Sequence, residues 1–375
     1  MADAGLERVV RAEDVAHMGI TEVIRHARYI HSQYRRLVGS IKQAPPSLAI
    51  LIDFPDVNFR LAKHLQRLGV PVLWFVSPQL WAWKRQRLRW VQQRVNRMLV
   101  IFPFEEAFYR ARGVDAEFVG HPLAALPMPT LSREEYAAQY GLDTAKQWIA
   151  LLPGSRQKEI GANLPEMIAA ASELNINSKY ECLLPIASTI EPQWVAHQLT
   201  VREFFEDRFG KGLPPKIVTV PDAREALFHA RASVVASGTA TVQALTIGNP
   251  FVVVYRVSPL TFAIAKRLVR YPAEIPAERD AEGNLPIAMP NLIAGRRIVP
   301  ELVNRQFTAA NLAAALRPLL DDTPERSRMI ADLAEASAKL LPNQGGDPIQ
   351  RVCDAAEALL EPASARSSQI ATSDV

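Results

Sequence analysis

A chain of 375 residues, 49% hydrophobic and 22% charged, reads as a globular protein too long for one ordinary core, so two domains are expected. No apolar stretch approaches the roughly 18 residues of a membrane-spanning helix, and the N-terminus lacks the layout of a signal peptide. The two distant cysteines, Cys182 and Cys353, fit neither a disulfide framework nor metal-ligand spacing, and the reading is cytoplasmic.

The net charge of +4 is mild but unevenly spread. From Ile20 to Lys42, apolar residues recur at helical spacing (Ile20, Val23, Ile24, Ala27, Tyr34, Leu37, Val38, Ile41). Between them lie Arg25, His26, Arg28, Arg35, Arg36 and Lys42 against a single Glu22. Such a helix suits an anionic membrane surface, although a surface helix with its apolar face in the core is the commoner case. A second basic run, Lys84 to Arg97, is interleaved with Trp81, Trp83 and Trp90 but carries no recognition motif, and no nucleic-acid partner is expected.

Strand-like runs then alternate with helical patterns. The first series is Leu48–Ile52, Pro71–Val76, Met98–Phe102 and Ala116–Val119. The second is Trp148–Leu152, Glu181–Ile186, Lys216–Val220, Ser233–Ala236 and Pro250–Tyr255. Their continuous apolarity fits parallel strands covered on both faces. The expected fold is α/β, with two doubly wound Rossmann-like domains facing a cleft. The expected boundaries are a first domain over 1–122, a linker over 123–146 around Pro122–Pro129, and a second domain over 147–323. Closing helices over 324–361 and a disordered tail over 362–375 follow. The stretch from Tyr271 to Pro290, with its prolines and mixed charges, reads as a loop.

Two loops carry the strongest chemical signal: Pro153-Gly154-Ser155-Arg156 and Ser237-Gly238-Thr239-Ala240-Thr241. Each leads from a strand through glycine into a helix, which leaves backbone N–H groups at the positive end of the helix dipole. Two such anion sites in one half of a chain suggest a diphosphate. Arg156 adds a forked charge, and the Gln243 amide lies one turn into the second helix, within reach of a ribose hydroxyl. Glu159 reads as an ordinary first-turn helix residue.

In the first domain, Asp53 of Asp53-Phe54-Pro55-Asp56-Val57-Asn58 ends a strand and is the candidate general base, whereas Asp56 reads as a helix cap. Ser77 and Trp81, in Ser77-Pro78 and Trp81-Ala82-Trp83, also follow a strand; the tryptophans wall a sugar or acyl pocket or simply pack. His121 of Gly120-His121-Pro122 touches a phosphate, acts as a base, or serves its turn. Pro290 to Arg296 and Pro300-Glu301 read as another loop-to-helix segment near the same cleft, and an Asn such as Asn291 in such a turn more often serves its own backbone.

In order and spacing these motifs, together with Met18-Gly19, Phe102-Pro103-Phe104-Glu105 and Asn291-Leu292-Ile293-Ala294-Gly295, resemble the lipid-A-disaccharide synthase family from about residue 1 to 360. These are inverting glycosyltransferases of the GT-B fold. The resemblance implies transfer of 2,3-diacylglucosamine from its UDP derivative to 2,3-diacylglucosamine 1-phosphate, without a metal or other cofactor. By carry-over Asp53 is the base, while Arg156, Gly154, Ser155, Ser237, Gly238, Thr239, Gln243 and Asn291 belong to the donor site. The Ile20–Lys42 helix then becomes a peripheral contact with the inner face of the inner membrane through Ile20, Val23, Ile24, Arg28 and Arg35. The closing helices, Pro324–Leu360, would brace the first domain, and the assembly considered is a homodimer.

Three departures follow from the same comparison. The family's opening strand, Gly-Glu-x-Ser-Gly-Asp loop and helix have no counterpart here, so the first domain is expected to be N-terminally incomplete. Gln243 and Asn304 stand where glutamate and glutamine are usual. The alternatives are another UDP-sugar enzyme of peptidoglycan-transferase or epimerase type, or an inactive, truncated membrane-surface paralogue.

Overall fold

The computed structural model describes residues 5, 7–10, 27–175, 178–187, 190–200, 215–258, 262, 266 and 269–361. Two compact units emerge: Met1–Ile101, Glu105–Val119 and Pro348–Val375 form the first, and Phe102–Phe104 with Gly120–Asp347 the second.

The described part of the first unit has helix α1 (Ala27–Gln43), β1 (Ala49–Ile52), α2 (Pro55–Arg67), β2 (Val72–Phe75), α3 (Leu88–Arg94), β3 (Arg97–Val100), α4 (Pro103–Arg110, whose first two residues group with the second unit) and β4 (Ala116–Phe118). Its four strands are parallel in the order β1-β2-β3-β4. Val72, Leu73, Trp74, Met98, Leu99 and Val100 are fully buried, as their unbroken apolarity requires. At the β1 edge Leu51 is buried, but Ile50 and Ile52 are 45% and 51% exposed. Every crossover adds the next strand on the same side, so among the described residues this sheet contains no switch point. The double winding expected of it is not seen there.

Helix α1 packs on α2 through the side that carries buried Val38, while Arg28, Arg35, Arg36 and Lys42 are exposed. The expected membrane residues Ile20, Val23 and Ile24 lie outside the described residues, as does the tail over 362–375. No described helix is long and apolar enough to cross a membrane.

The second unit contains α5 (Arg133–Tyr140), β5 (Gln147–Leu152), α6 (Gln157–Leu174), β6 (Tyr180–Pro185), α7 (Pro192–Thr200), β7 (Lys216–Val220) and α8 (Ala223–His229). It continues through β8 (Ala232–Ala236), α9 (Thr239–Ile247), β9 (Phe251–Tyr255), α10 (Met289–Ala294), β10 (Glu301–Val303), α11 (Ala309–Leu320) and α12 (Pro324–Ala338). Its parallel sheet runs β10-β9-β8-β5-β6-β7. The chain therefore starts at β5, winds outward through β6 and β7, then returns to the other side of β5 with β8. The neighbours β5 and β8 bound the switch point, where ligands of such sheets bind beyond the strand ends.

Three expectations are corrected in this unit. Pro300-Glu301, read as a loop leading to a helix, opens β10, which pairs with β9. The linker expected over 123–146 is shorter, because α5 is part of the fold. Ser132 and Glu135 close a capping box at its start, and the Tyr136 ring stacks 4.3 Å from that of His229. Helix α12 groups with the second unit rather than the first: its buried Met329, Leu333 and Ala336 serve a face packed on α9, α10 and α11. Only the last helix, α13 (Pro348–Leu360), groups with the first unit, where Arg351 lies 3.6 Å from Glu117.

Candidate active site

Backbone strain gathers at the carboxyl ends of β1 and β2. Asp53 and Phe54 hold left-handed φ angles of 43° and 46°, and Val76 one of 62°. Such conformations cost about 1–3 kcal/mol each for residues other than glycine, and persist only where neighbours enforce them. The enforcement is visible. The Asp53 N–H donates to the Phe75 carbonyl at 3.0 Å, tying the end of β1 to β2. Asn58, buried in the first turn of α2, donates from Nδ2 to the carbonyls of Ile52 (3.1 Å) and Asp53 (2.5 Å). Asp53 itself is exposed.

The cap expected from Asp56 is absent. Phe54 occupies the N-cap position without a side-chain bond, and Asp56 instead accepts from Arg87 Nη1 at 2.8 Å.

The loop after β2 is built around a buried carboxylate. Glu105 is 1% exposed, and its Oε1 accepts from Ser77 Oγ (2.8 Å) and Trp81 Nε1 (3.0 Å). Tyr109 donates its hydroxyl to the Pro78 carbonyl at 2.8 Å. Burial, reinforced by the Glu105 charge, holds the Tyr109 phenol protonated. Trp81 is also 1% exposed, packed beneath the loop with its indole N–H held by Glu105. The exposed indole is that of Trp83, with Lys84 Nζ 4.1 Å from its ring centroid.

In the second unit the switch point carries both glycine loops. Gly154 and Gly238 have φ angles of 123° and 148°, which side-chain-bearing residues rarely adopt. Helix α6 starts at Arg156 and α9 at Gly238, and neither start has a side-chain cap. By contrast α5, α8, α11 and α12 are capped by Ser132, Asp222, Thr308 and Thr323. The starts of α2, α3 and α10 also lack a side-chain cap, but those of α6 and α9 follow the neighbouring strands β5 and β8, where their backbone N–H donors lie at the switch point. Asn163 anchors the first loop by donating to the Pro153 carbonyl at 2.8 Å. Ser155, Arg156, Gly238 and Thr239 are exposed, Ser237 and Gln243 half-buried. Arg156 Nη1 donates to Glu159 Oε1 at 2.8 Å.

Asn291, expected in the donor site, lies in the first turn of α10. Buried at 1% exposure, it donates to the Val299 carbonyl and to Glu301 Oε1, and accepts from the N–H groups of Ile298 and Val299. Its amide has no hydrogen-bonding capacity left for a donor sugar. It holds the segment between α10 and β10, where Glu301 also accepts from the N–H groups of Ile287 and Ala288.

His121 is buried against Phe102, with its Nδ1 accepting from the Leu123 N–H at 3.1 Å. That contact places the proton on Nε2 of the neutral ring. Burial pushes its pKa down to about 4, so the imidazole is uncharged at neutral pH. Below its usual pKa the unfolded chain binds a proton that the folded chain refuses. Stability should therefore fall as pH drops from about 6.5 to about 4, by up to about 3 kcal/mol. Chemical denaturation across that window should show a flatter slope for His121→Gln.

Sequence reasoning assigned no role to Asn58 or Glu105. The Asn58 signal was a polar residue on the buried side of α2; that of Glu105 was an acid directly after the apolar run Phe102-Pro103-Phe104. Among the described residues no three His, Cys, Asp or Glu side chains group as metal ligands.

With two parallel α/β sheets, one of them doubly wound, the molecule is of the GT-B class. It superimposes on the Staphylococcus aureus MnaA–UDP co-structure with a TM-score of 0.52 (13% identity, 85% of this chain and 76% of that one). A second solved structure, UDP-GlcNAc 2-epimerase from Neisseria meningitidis bound to UDP-GlcNAc, gives 0.51 (10% identity, 90% and 82%). Both likenesses concern the fold. At the level of sequence, the LpxB family model, lipid-A-disaccharide synthetase, matches residues 1–344. The lipid-A-disaccharide synthase of Acidobacterium capsulatum is 53% identical over 364 residues, covering 96% of this chain and 87% of that protein. That of Koribacter versatilis is 45% identical over 340 residues, covering 91% and 83%. The chain belongs to the lipid-A-disaccharide synthase family and is a glycosyltransferase.

Proposed function

We propose that the chain joins UDP-2,3-diacylglucosamine to the 6-hydroxyl of 2,3-diacylglucosamine 1-phosphate, giving the β-1,6-linked disaccharide 1-phosphate and UDP. The observation that carries this reading is the pair of uncapped helix starts at the β5/β8 switch point in a chain of this family.

In the reaction Asp53 takes the proton of the acceptor hydroxyl. The resulting oxygen attacks the anomeric carbon, whose bond to the diphosphate oxygen breaks with inversion. The electron pair leaves on UDP. Its growing charge meets the N–H groups of Ser155 and Thr239 and the Arg156 guanidinium, donors already oriented before the bond breaks. Gln243 reaches the ribose. Gly154 and Gly238 let the phosphates approach the backbone closely.

Both substrates carry acyl chains, which supports peripheral attachment to the inner face of the inner membrane. The exposed Arg28, Arg35, Arg36 and Lys42 on α1 would meet an anionic surface.

The test is UDP release with both acylated sugars present. It should require both; release from water-soluble UDP-N-acetylglucosamine without the acylated acceptor would favour an epimerase or another transferase. Arg156→Ala should raise the donor KM about 10- to 100-fold through loss of a charge-assisted contact. An unaltered KM would remove Arg156 from the diphosphate.

A further inference from the structure

The Glu159 carboxylate occupies the donors of the loop after β5. Its Oε1 accepts from Arg156 Nη1 at 2.8 Å, and its Oε2 accepts from the Ser155 N–H at 3.2 Å. It also fills the room that glycine provides there. A Cβ built on Gly154 would lie 2.6 Å from Glu159 Oε2 and 2.7 Å from its Cβ. One carboxylate thus engages a backbone amide, the guanidinium and the space above the glycine, three features that an approaching phosphate would use.

We propose that Glu159 is an internal anion that competes with the donor diphosphate for this loop and hastens the departure of UDP. The inference rests on the reading of the loop as the diphosphate site. The Arg156–Glu159 pair is well placed for exchange, because its side chains are 76% and 39% exposed and such ion pairs are held weakly. A nucleotide carrying several negative charges displaces one carboxylate from Arg156. The displaced Glu159 remains tethered on the first turn of α6, within a few ångströms of the phosphates. When the glycosidic bond to UDP has broken, the carboxylate returns to Arg156 and Ser155. It thereby lowers the affinity for the product without being needed for the chemistry. The other group that feels this charge is Tyr255 at the end of β9, whose phenol is raised by burial and then by Glu159. A residue serving only the helix dipole would favour the first turn of α6 and leave nucleotide affinity alone.

The experiment is calorimetric titration of the full-length protein with UDP, alongside steady-state turnover and thermal melting, for the wild type, Glu159→Gln, Glu159→Ala and Arg156→Ala. Removing the competing charge should tighten UDP binding about three- to tenfold in both Glu159 variants, with stronger product inhibition and a lower kcat. Unchanged or weaker UDP binding in a folded Glu159 variant would overturn the proposal. If Arg156→Ala weakens UDP while the Glu159 variants do not strengthen it, only this inference fails. If Arg156→Ala leaves UDP affinity untouched, the assignment of the loop itself fails.

Discussion

Replacing Asp53 with asparagine should lower kcat by about 10²–10⁴-fold while leaving the affinity for UDP unchanged. Asparagine keeps the size of the side chain and tolerates the left-handed backbone that Asp53 adopts, so the loop geometry survives the exchange. Its contacts through the main chain, the Asp53 N–H to Phe75 and the Asp53 carbonyl to Asn58, are also retained. What disappears is the capacity to accept a proton from the acceptor hydroxyl. Steady-state UDP release together with a UDP titration separates the two quantities. Turnover near that of the wild type would take the base role away from Asp53. A parallel loss of UDP affinity would mean that the residue acts on the donor.

Glu105→Ala should destabilise the first unit by about 3–5 kcal/mol, because it strands two buried donors, Ser77 Oγ and Trp81 Nε1, and opens a cavity beneath the loop. Glu105→Gln retains one acceptor and should cost less. Ser77→Ala removes a single bond and should cost about 1 kcal/mol. Urea denaturation followed by tryptophan fluorescence measures the series, since Trp74 and Trp81 are both buried in this unit. An alanine variant as stable as the wild type would show that the loop after β2 does not depend on its carboxylate.

The parallel strands were legible because burial on both faces imposes continuous apolar runs. Trp148–Leu152 and Ser233–Ala236 lie inside β5 and β8, and the glycine loops follow them directly. β10 escaped detection: Glu301–Val303 is three residues long and begins with an acid that is spent on backbone N–H groups. A short edge strand leaves little periodic signal.

The less legible parts of the site are those joined over long separations. Glu105 meets Ser77 and Trp81 across 28 and 24 residues, and no local spacing encodes that encounter. The role of Trp81 was undecidable for the same reason, since an aromatic after a strand packs or walls a pocket according to what the fold brings beneath it. Asp56 failed as a cap because the strained Phe54 takes the N-cap position, a conformation that residue type does not announce. Glu159 was read by its place in the first turn of α6, and only geometry reveals its engagement of Ser155 and Arg156.

Amide hydrogen exchange with and without UDP tests the nucleotide assignment most directly. Saturating UDP should slow exchange in two separate peptides, one spanning Ser155 to Lys158 and the other Gly238 to Ala240. Protection that spares both while UDP is demonstrably bound would place the diphosphate elsewhere and contradict the account.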